Sequence, residues 1–435
     1  MTPLDTGFVG VAAILLLIAL RVPIGVALGV VSFAGIWSII GLKPALSMLG
    51  RLPFEFSASW EFSAVPMFLL MGSIAFFSGM TASLYKAARL WLGGLPGGLA
   101  VATNFACALF GAACGSSLAT VAAMGKIGIP EMRRYRYDVG LATAVCACGG
   151  TLAALIPPSI AFIVYGILAE QSVAKLFLAG VVPGLLTAAA YAAMIVGRCM
   201  MDPSLAPRLP ERPAWRLRFA ALAEIWPLPL LIIGVLGVIY GGIATPTEAG
   251  AFGAMLALAI AAFQGQLKWR HLRQALRDAA LTTAMIMFVA IGAVMLSRYL
   301  ALAGLPKWIA INVTAWELSP LLLILATSFV YLVLGCFLDP IGLMLLTIPI
   351  FLPLFQSLGY DLVWLGVIIV KFIEIGLLTP PVGLNVYAAK TLVPDVPLET
   401  IFRGVSWFLV AEAGVMVLLF SFPQLSLWLP GLMSG

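Results

Sequence analysis

The chain has 435 residues, 63% of them hydrophobic and only 10% charged, with a mean hydropathy of +1.11. That composition cannot clothe a water-soluble protein, and it reads as an all-α polytopic membrane protein, because a helix satisfies its own backbone in lipid and about 20 apolar residues span a bilayer. The net charge of +6 is therefore a matter of loop topology, not of nucleic-acid binding, since cytoplasmic loops collect Lys and Arg.

In chain order, residues 1–63 read as N-terminal scaffold helices. Their first apolar run, FVGVAAILLLIAL, has no Lys or Arg before it and reads as a retained first span rather than a signal peptide. A first repeat unit occupies 64–200. Within it, Lys86 and Arg89 precede a segment at about 98–130 whose apolar run is interrupted by small and polar residues. Either side of the interruption is too short to span comfortably, which predicts a re-entrant helical hairpin. The loop after it, PEMRRYRYD, shares the basic bias expected of a segment that returns to its own side. Next comes a span at about 139–170, broken at LIPPSIAFIVYG. There Pro157 and Pro158 each remove a backbone donor and clash with the preceding turn, at ~3 kcal/mol per residue in an intact helix.

Residues 201–278 connect the two units. Arg208, Arg212, Arg216 and Arg218 form one basic stretch and Lys268, Arg270, Arg273 and Arg277 another, so the apolar stretch between them must cross twice. Glu248, two residues after Pro246, suits the first turn of a helix, where its charge complements the dipole. The second unit, 279–435, holds Arg298, a second interrupted segment at about 320–354, and a second broken span at about 361–389 with the motif LLTPPVGLNVYA. Arg298 either snorkels to the interface or binds a carboxylate bidentately. Lys371 and Glu374, three apart, are placed to pair with each other.

The two units share a register. Pro380 lies 223 residues after Pro157, and the same offset sets Pro130 on Pro353, Tyr137 on Tyr360, Asp138 on Asp361, Ser116 on Asp339 and Ser117 on Pro340. The loop ending in the first Tyr-Asp pair carries Arg133, Arg134 and Arg136, whereas its counterpart, PLFQSLGYD, carries no Lys or Arg. Opposite charge bias implies opposite orientation, so the units read as an inverted repeat with two re-entrant hairpins and two discontinuous helices, a plan common in secondary transporters.

Broken helices at membrane depth free carbonyls at one half's C-terminus and amides at the other's N-terminus, and are tolerated where they line a cavity or are buried in protein. The first suit a cation such as Na⁺, the second a carboxylate. Ser116, Ser117, Ser159, Thr379 and Asn385 flank the breaks as neutral oxygen donors, although each hydroxyl has an alternative within its own helix. Asp339 adds an ionisable group at a hairpin tip, where burial is expensive without a partner. The six cysteines include no CxxC pair and read as small buried residues, and the single histidine, His271, sits in a basic loop. There is no GxxxxGK[ST], no H-E-x-x-H and no Ser/His/Asp grouping, so neither ATP hydrolysis by a P-loop nor any other enzyme activity is indicated, and no organic cofactor.

GAACGSSLATVAAMGKIGIPEM, GGTLAALIPPSIAFIVYGILAEQSVAKLFLAGVVPGLL, TPTEAGA and GLLTPPVGLNVY resemble the large membrane subunit of tripartite ATP-independent periplasmic (TRAP) transporters over nearly the whole chain. The resemblance implies a multi-pass protein of the bacterial inner membrane and Na⁺-coupled uptake of a small organic acid such as a C4-dicarboxylate or sialic acid. It also implies a periplasmic substrate-binding protein that delivers the cargo, a small four-helix membrane subunit, and an elevator-type movement of the hairpin-bearing domain. Carried over by motif, Na⁺ would lie near Cys114, Ser116, Ser117, Ala153, Ile156 and Pro157 in the first half and near Gly335, Thr379, Val382 and Asn385 in the second. Substrate contacts would come from Ser117, Ser159 and Asp339, with Arg298 as a further candidate. The sequence departs from the family pattern at Cys114, where serine is common, and at Ala153, where glycine is common. The competing expectation is a self-sufficient Na⁺/anion symporter or ion exchanger of related architecture, which would need no partner.

Overall fold

The structure, a computed structural model, describes residues 2–207, 214–315 and 320–433; Arg208 and Arg212 of the first basic stretch lie outside them. All regular elements among the described residues are helices. The chain opens with α1 (Pro3–Ala19), α2 (Ile24–Ile40) and α3 (Leu42–Ser57), followed by α4 (Ala64–Phe77) and α5 (Met80–Leu92). The first repeat continues with α6 (Gly98–Cys114), α7 (Ser117–Arg134), α8 (Val139–Thr151), α9 (Ile160–Leu168) and α10 (Val173–Met201). Three connecting helices are α11 (Trp215–Glu224), α12 (Pro227–Tyr240) and α13 (Pro246–Phe263). The second repeat holds α14 (Trp269–Ala303), α15 (Leu305–Ala315), α16 (Pro320–Gly335), α17 (Pro340–Ser357), α18 (Leu362–Gly376), α19 (Leu384–Leu392) and α20 (Leu398–Ser421), and α21 (Gln424–Gly431) closes the chain. Among the described residues, six helical segments, the first of them Trp60–Phe77 ending in α4, are long and apolar enough to cross a membrane, and α11 with α12, bent by 47°, adds a seventh candidate.

Local sequence sets the helix starts. Thr2 with Asp5, and Thr245 with Glu248, form capping boxes, so Glu248 does sit in a first turn. Asp138 and Asp361, matched in the repeat register, cap α8 and α18 through the amides of Leu141 and of Val363 and Trp364. Ser116 and Asp339, also matched, cap α7 and α17.

The inversion follows from which ends meet. Tyr165 Oη, near the end of α9, donates to the Leu362 carbonyl at 2.7 Å, and Gly366 packs against Leu176, so α18 begins beside the start of α10. At the far end of α10, Cys199 and Ile195 lie against Gly97, the Leu99 amide donates to Tyr137 Oη at 3.2 Å, and the Asp138 amide donates to the Leu205 carbonyl at 2.8 Å. There α8 begins. A 29-residue helix is ~44 Å long, so α8 and α18 start at opposite faces and run antiparallel. The face where α8 starts carries the ion pairs Lys86–Glu224, Arg89–Glu131 and Arg133–Asp395, which marks it as cytoplasmic. Hydrogen bonds from Arg133 hold the exposed Asp395 carboxyl below its usual range. The contribution of that pair is in place above the ordinary carboxylate range and fades as pH falls through the lowered value.

Helices α1, α2, α4, α13 and α14 pack together as one layer. Helices α6 to α10 and α16 to α21 form a second group, which the first layer meets through α14 and α2 on α17 and through α4 on α6 and α9.

Candidate functional site

Each repeat brings a joint between two antiparallel helices against a break in a third. In the first copy α6 stops at Cys114, Gly115 adopts a left-handed φ of +63° that a side chain would strain, and Ser117 opens α7. The Gly115 carbonyl accepts from the Ile160 amide at 3.4 Å, which ties this tip to the break between α8 and α9. In the second copy the Cys336 carbonyl accepts from the Gly383 amide at 3.3 Å, and Gly383, also left-handed at φ +64°, opens α19. Both breaks carry their proline pair, Pro157–Pro158 and Pro380–Pro381, each joined by a cis bond.

Between the two tips lies a cavity of about 470 Å³. Ser116, Ser117, Thr282, Asp339 and Glu374 supply its polar lining, and α2 and α14 wall it with groups such as Gly25, Met285 and Phe288. The N-termini of α7, α9 and α17 all reach it, at Ser117, Ile160 and Pro340. Helix N-termini present unpaired amides and the positive end of the dipole, so three of them around one space favour an anion.

The predicted residues divide between this cavity and its surroundings. Ser116, Ser117 and Asp339 line it. Asp339 Oδ2 accepts from the Gly342 amide at 2.9 Å, and Ser116 Oγ accepts from Ala119 at 3.5 Å. Ser159 is fully buried beneath it, with Oγ donating to the Ala154 carbonyl at 2.5 Å and accepting from Phe162. Its hydroxyl is thus occupied, and what it offers the cavity is the helix end it caps. Cys114 is buried with Sγ 3.1 Å from Thr120 Oγ1. Ala153 packs on Gly111 in the short turn after α8, while Ile156 and Pro157 sit in the irregular stretch that follows. In the second copy Gly335 packs on Gly376, Thr379 Oγ1 donates to the Ile375 carbonyl at 2.8 Å, and Val382 is half-buried beside the break. Asn385, fully buried, crosses between the copies, its Nδ2 donating to the Ala147 carbonyl at 3.4 Å.

Arg298 stands apart. It is exposed and lines a separate cavity of about 800 Å³ with Glu55, Glu61 and Glu170, so it does not reach the space between the tips.

The expected Lys371–Glu374 pair is corrected by the structure. Lys371 Nζ pairs with Glu412 of α20 and donates to Thr187 Oγ1 at 3.1 Å, and Tyr191 donates to Glu412 at 2.5 Å. Glu374 turns to the first tip, where Ser117 Oγ donates to its Oε1 at 2.7 Å. Helical spacing permits contact between residues three apart, but each charge here finds a better-aligned partner across an interhelical contact. Glu374 is thus the site residue the sequence reading missed. Its signal was a carboxylate one turn before the second break, at a position where the first copy has Thr151.

Two antiparallel copies, each pressing a helix joint onto an unwound helix around a shared cavity, define a multi-span membrane transporter. The fold is that of the YdaH transporter of Alcanivorax borkumensis, with a TM-score of 0.64 at 14% identity over 88% of this chain and 89% of that one. The chain belongs to the family described as tripartite ATP-independent periplasmic transporter, DctM component, whose model matches residues 11–425. It is 37% identical to the C4-dicarboxylate TRAP transporter large permease protein DctM of Pseudomonas aeruginosa, over 90% of this chain and 93% of that protein. It is 32% identical to the sialic acid TRAP transporter large permease protein SiaM of Vibrio cholerae, over 86% of each. These relatives are permeases, not enzymes, and the chain is accordingly a multi-pass transporter subunit of the bacterial inner membrane.

Proposed function

We propose that this subunit imports a small organic acid, such as a C4-dicarboxylate, sialic acid or similar carboxylate, in symport with Na⁺. The acid is handed over by a periplasmic substrate-binding protein, and a small four-helix membrane subunit completes the transporter. The single observation that carries the reading is the cavity between the tips, where the N-termini of α7, α9 and α17 meet oxygen donors from both copies. Ser117 and Asp339 contact the acid, and Ser159 acts through the helix end it caps. Na⁺ is held near the first break by Cys114, Ser116, Ser117, Ala153, Ile156 and Pro157, largely through carbonyls, and near the second by Gly335, Thr379, Val382 and Asn385. The body that holds both tips moves against the layer of α1, α2, α4, α13 and α14 as an elevator.

Reconstitution with the small subunit tests this. Uptake of the acid is expected only with the binding protein present and an inward Na⁺ gradient, and to vanish when choline replaces Na⁺. Full-rate uptake without any binding protein would establish a self-sufficient symporter instead. Ligand-induced thermal shifts of the binding protein name the acid.

A further inference from the structure

We infer that the Glu374 carboxylate is the fixed negative ligand of a monovalent cation held against the first tip, and that this cation screens the cavity for an anionic cargo. The inference rests on the Na⁺-coupled reading and goes beyond it by naming the charged ligand.

Glu374 is 2% exposed. Its Oε1 is satisfied by Ser117, but Oε2 is buried with no hydrogen-bond partner. A buried carboxylate with an orphaned oxygen is costly unless something positive completes it. The obvious cation on the same helix, Lys371, is already held by Glu412 and Thr187. A second buried acceptor, Asn385 Oδ1, is also unpartnered. The two are close to one another's neighbours: a Cβ placed on Gly150 would fall 2.9 Å from the Ser117 carbonyl oxygen and 3.6 Å from Asn385 Nδ2. Ser117 thus meets Glu374 through its hydroxyl and lies beside Gly150 through its carbonyl. The partnerless Glu374 oxygen, beside the Ser117 hydroxyl, offers a hard oxygen donor with a single negative charge at the first tip, which suits Na⁺ and leaves the filled site neutral.

The charge of the cavity makes the same demand. Its lining includes Asp339 and Glu374 and, among the described residues, no Lys, Arg or His. An organic acid entering it would meet two carboxylates in a low-dielectric space, where like charges repel far more strongly than in water. With a cation on Glu374 one of those charges is cancelled, and the three helix N-termini then set the local sign. The cation thus makes the cavity receptive to the acid.

The test is the Na⁺ dependence of thermal unfolding of the purified chain in nanodiscs with choline as the balancing cation, paired with equilibrium binding of radioactive sodium. Wild type is expected to be stabilised saturably. E374Q should fold and melt normally in choline, yet need at least about tenfold more Na⁺ for half-maximal stabilisation, the loss of one charge-assisted contact. A Na⁺ midpoint in E374Q within about twofold of wild type, while wild type responds, overturns this inference and leaves Na⁺ coupling standing; that is also the result expected if Glu374 serves an ammonium group on the cargo. Wild type without any Na⁺ response overturns both. Should E374Q fail to fold, E374D decides: its retracted carboxylate is expected to raise the midpoint, and an unchanged midpoint overturns the proposal.

Discussion

Replacing Lys371 with methionine is expected to cost about 3–5 kcal/mol, the penalty of leaving a buried charge without its partner. Lys371 and Glu412 are 1% and 2% exposed, and they join α18 to α20 while Thr187 and Tyr191 join both to α10. Without the ammonium, Glu412 keeps only the Tyr191 hydroxyl, and lipid offers no water in exchange. The single variant should accumulate poorly and unfold at lower temperature. The double variant Lys371→Met with Glu412→Gln removes both charges but keeps a hydrogen-bonding group for Tyr191, and it should recover most of the loss, because apolar or neutral replacements of buried pairs are often nearly neutral. Specific uptake per folded molecule should match wild type in the double variant. Thermal unfolding read beside uptake checks both points, and a folded double variant that no longer transports would place this network in the transport cycle.

How the sequence yielded the fold, and where it fell short, has a physical basis. Proline pairs and Asp caps act on the backbone beside them, so their register at an offset of 223 was readable along the chain, and with it the matched starts of α7 with α17 and α8 with α18. Loop arginines act through a potential that any cytoplasmic loop shares, so the inversion was readable as well. Side-chain partners are another matter. Ser117 and Glu374 are 257 residues apart and meet only because one copy's tip lies against the other copy's unwound helix. Nothing in either local sequence encodes that meeting, and spacing along one helix pointed to Lys371 instead. Ser159 and Arg298 illustrate the same limit from the other direction. Residue type suited both to a ligand, but Ser159 is enclosed by its own turn, and Arg298 faces a different cavity.

Asp339→Asn separates what Asp339 does for the helix from what it does for the cargo. Asp339 caps α17 through the Gly342 amide and lines the cavity opposite Ser117. Asparagine caps a helix about as well as aspartate, so D339N should unfold within ~0.5 kcal/mol of wild type, whereas D339A loses the cap and about 1 kcal/mol. Transport should not follow that order. Hydrogen bonds to a charged group contribute about 1.5–3 kcal/mol, so if the carboxylate engages the acid or its accompanying ion, uptake at sub-saturating cargo should fall by roughly tenfold to a hundredfold in D339N and D339A alike. Ser117→Ala is not expected to show this split: its hydroxyl caps no helix but meets the buried Glu374 carboxylate, so its loss should lower uptake and also stability by about 1–3 kcal/mol. The informative comparison is D339N against D339A. If uptake tracks stability, with D339N near wild type and only D339A impaired, Asp339 is a helix cap that happens to face the cavity; if both lose uptake while D339N keeps its unfolding temperature, the charge itself takes part in transport.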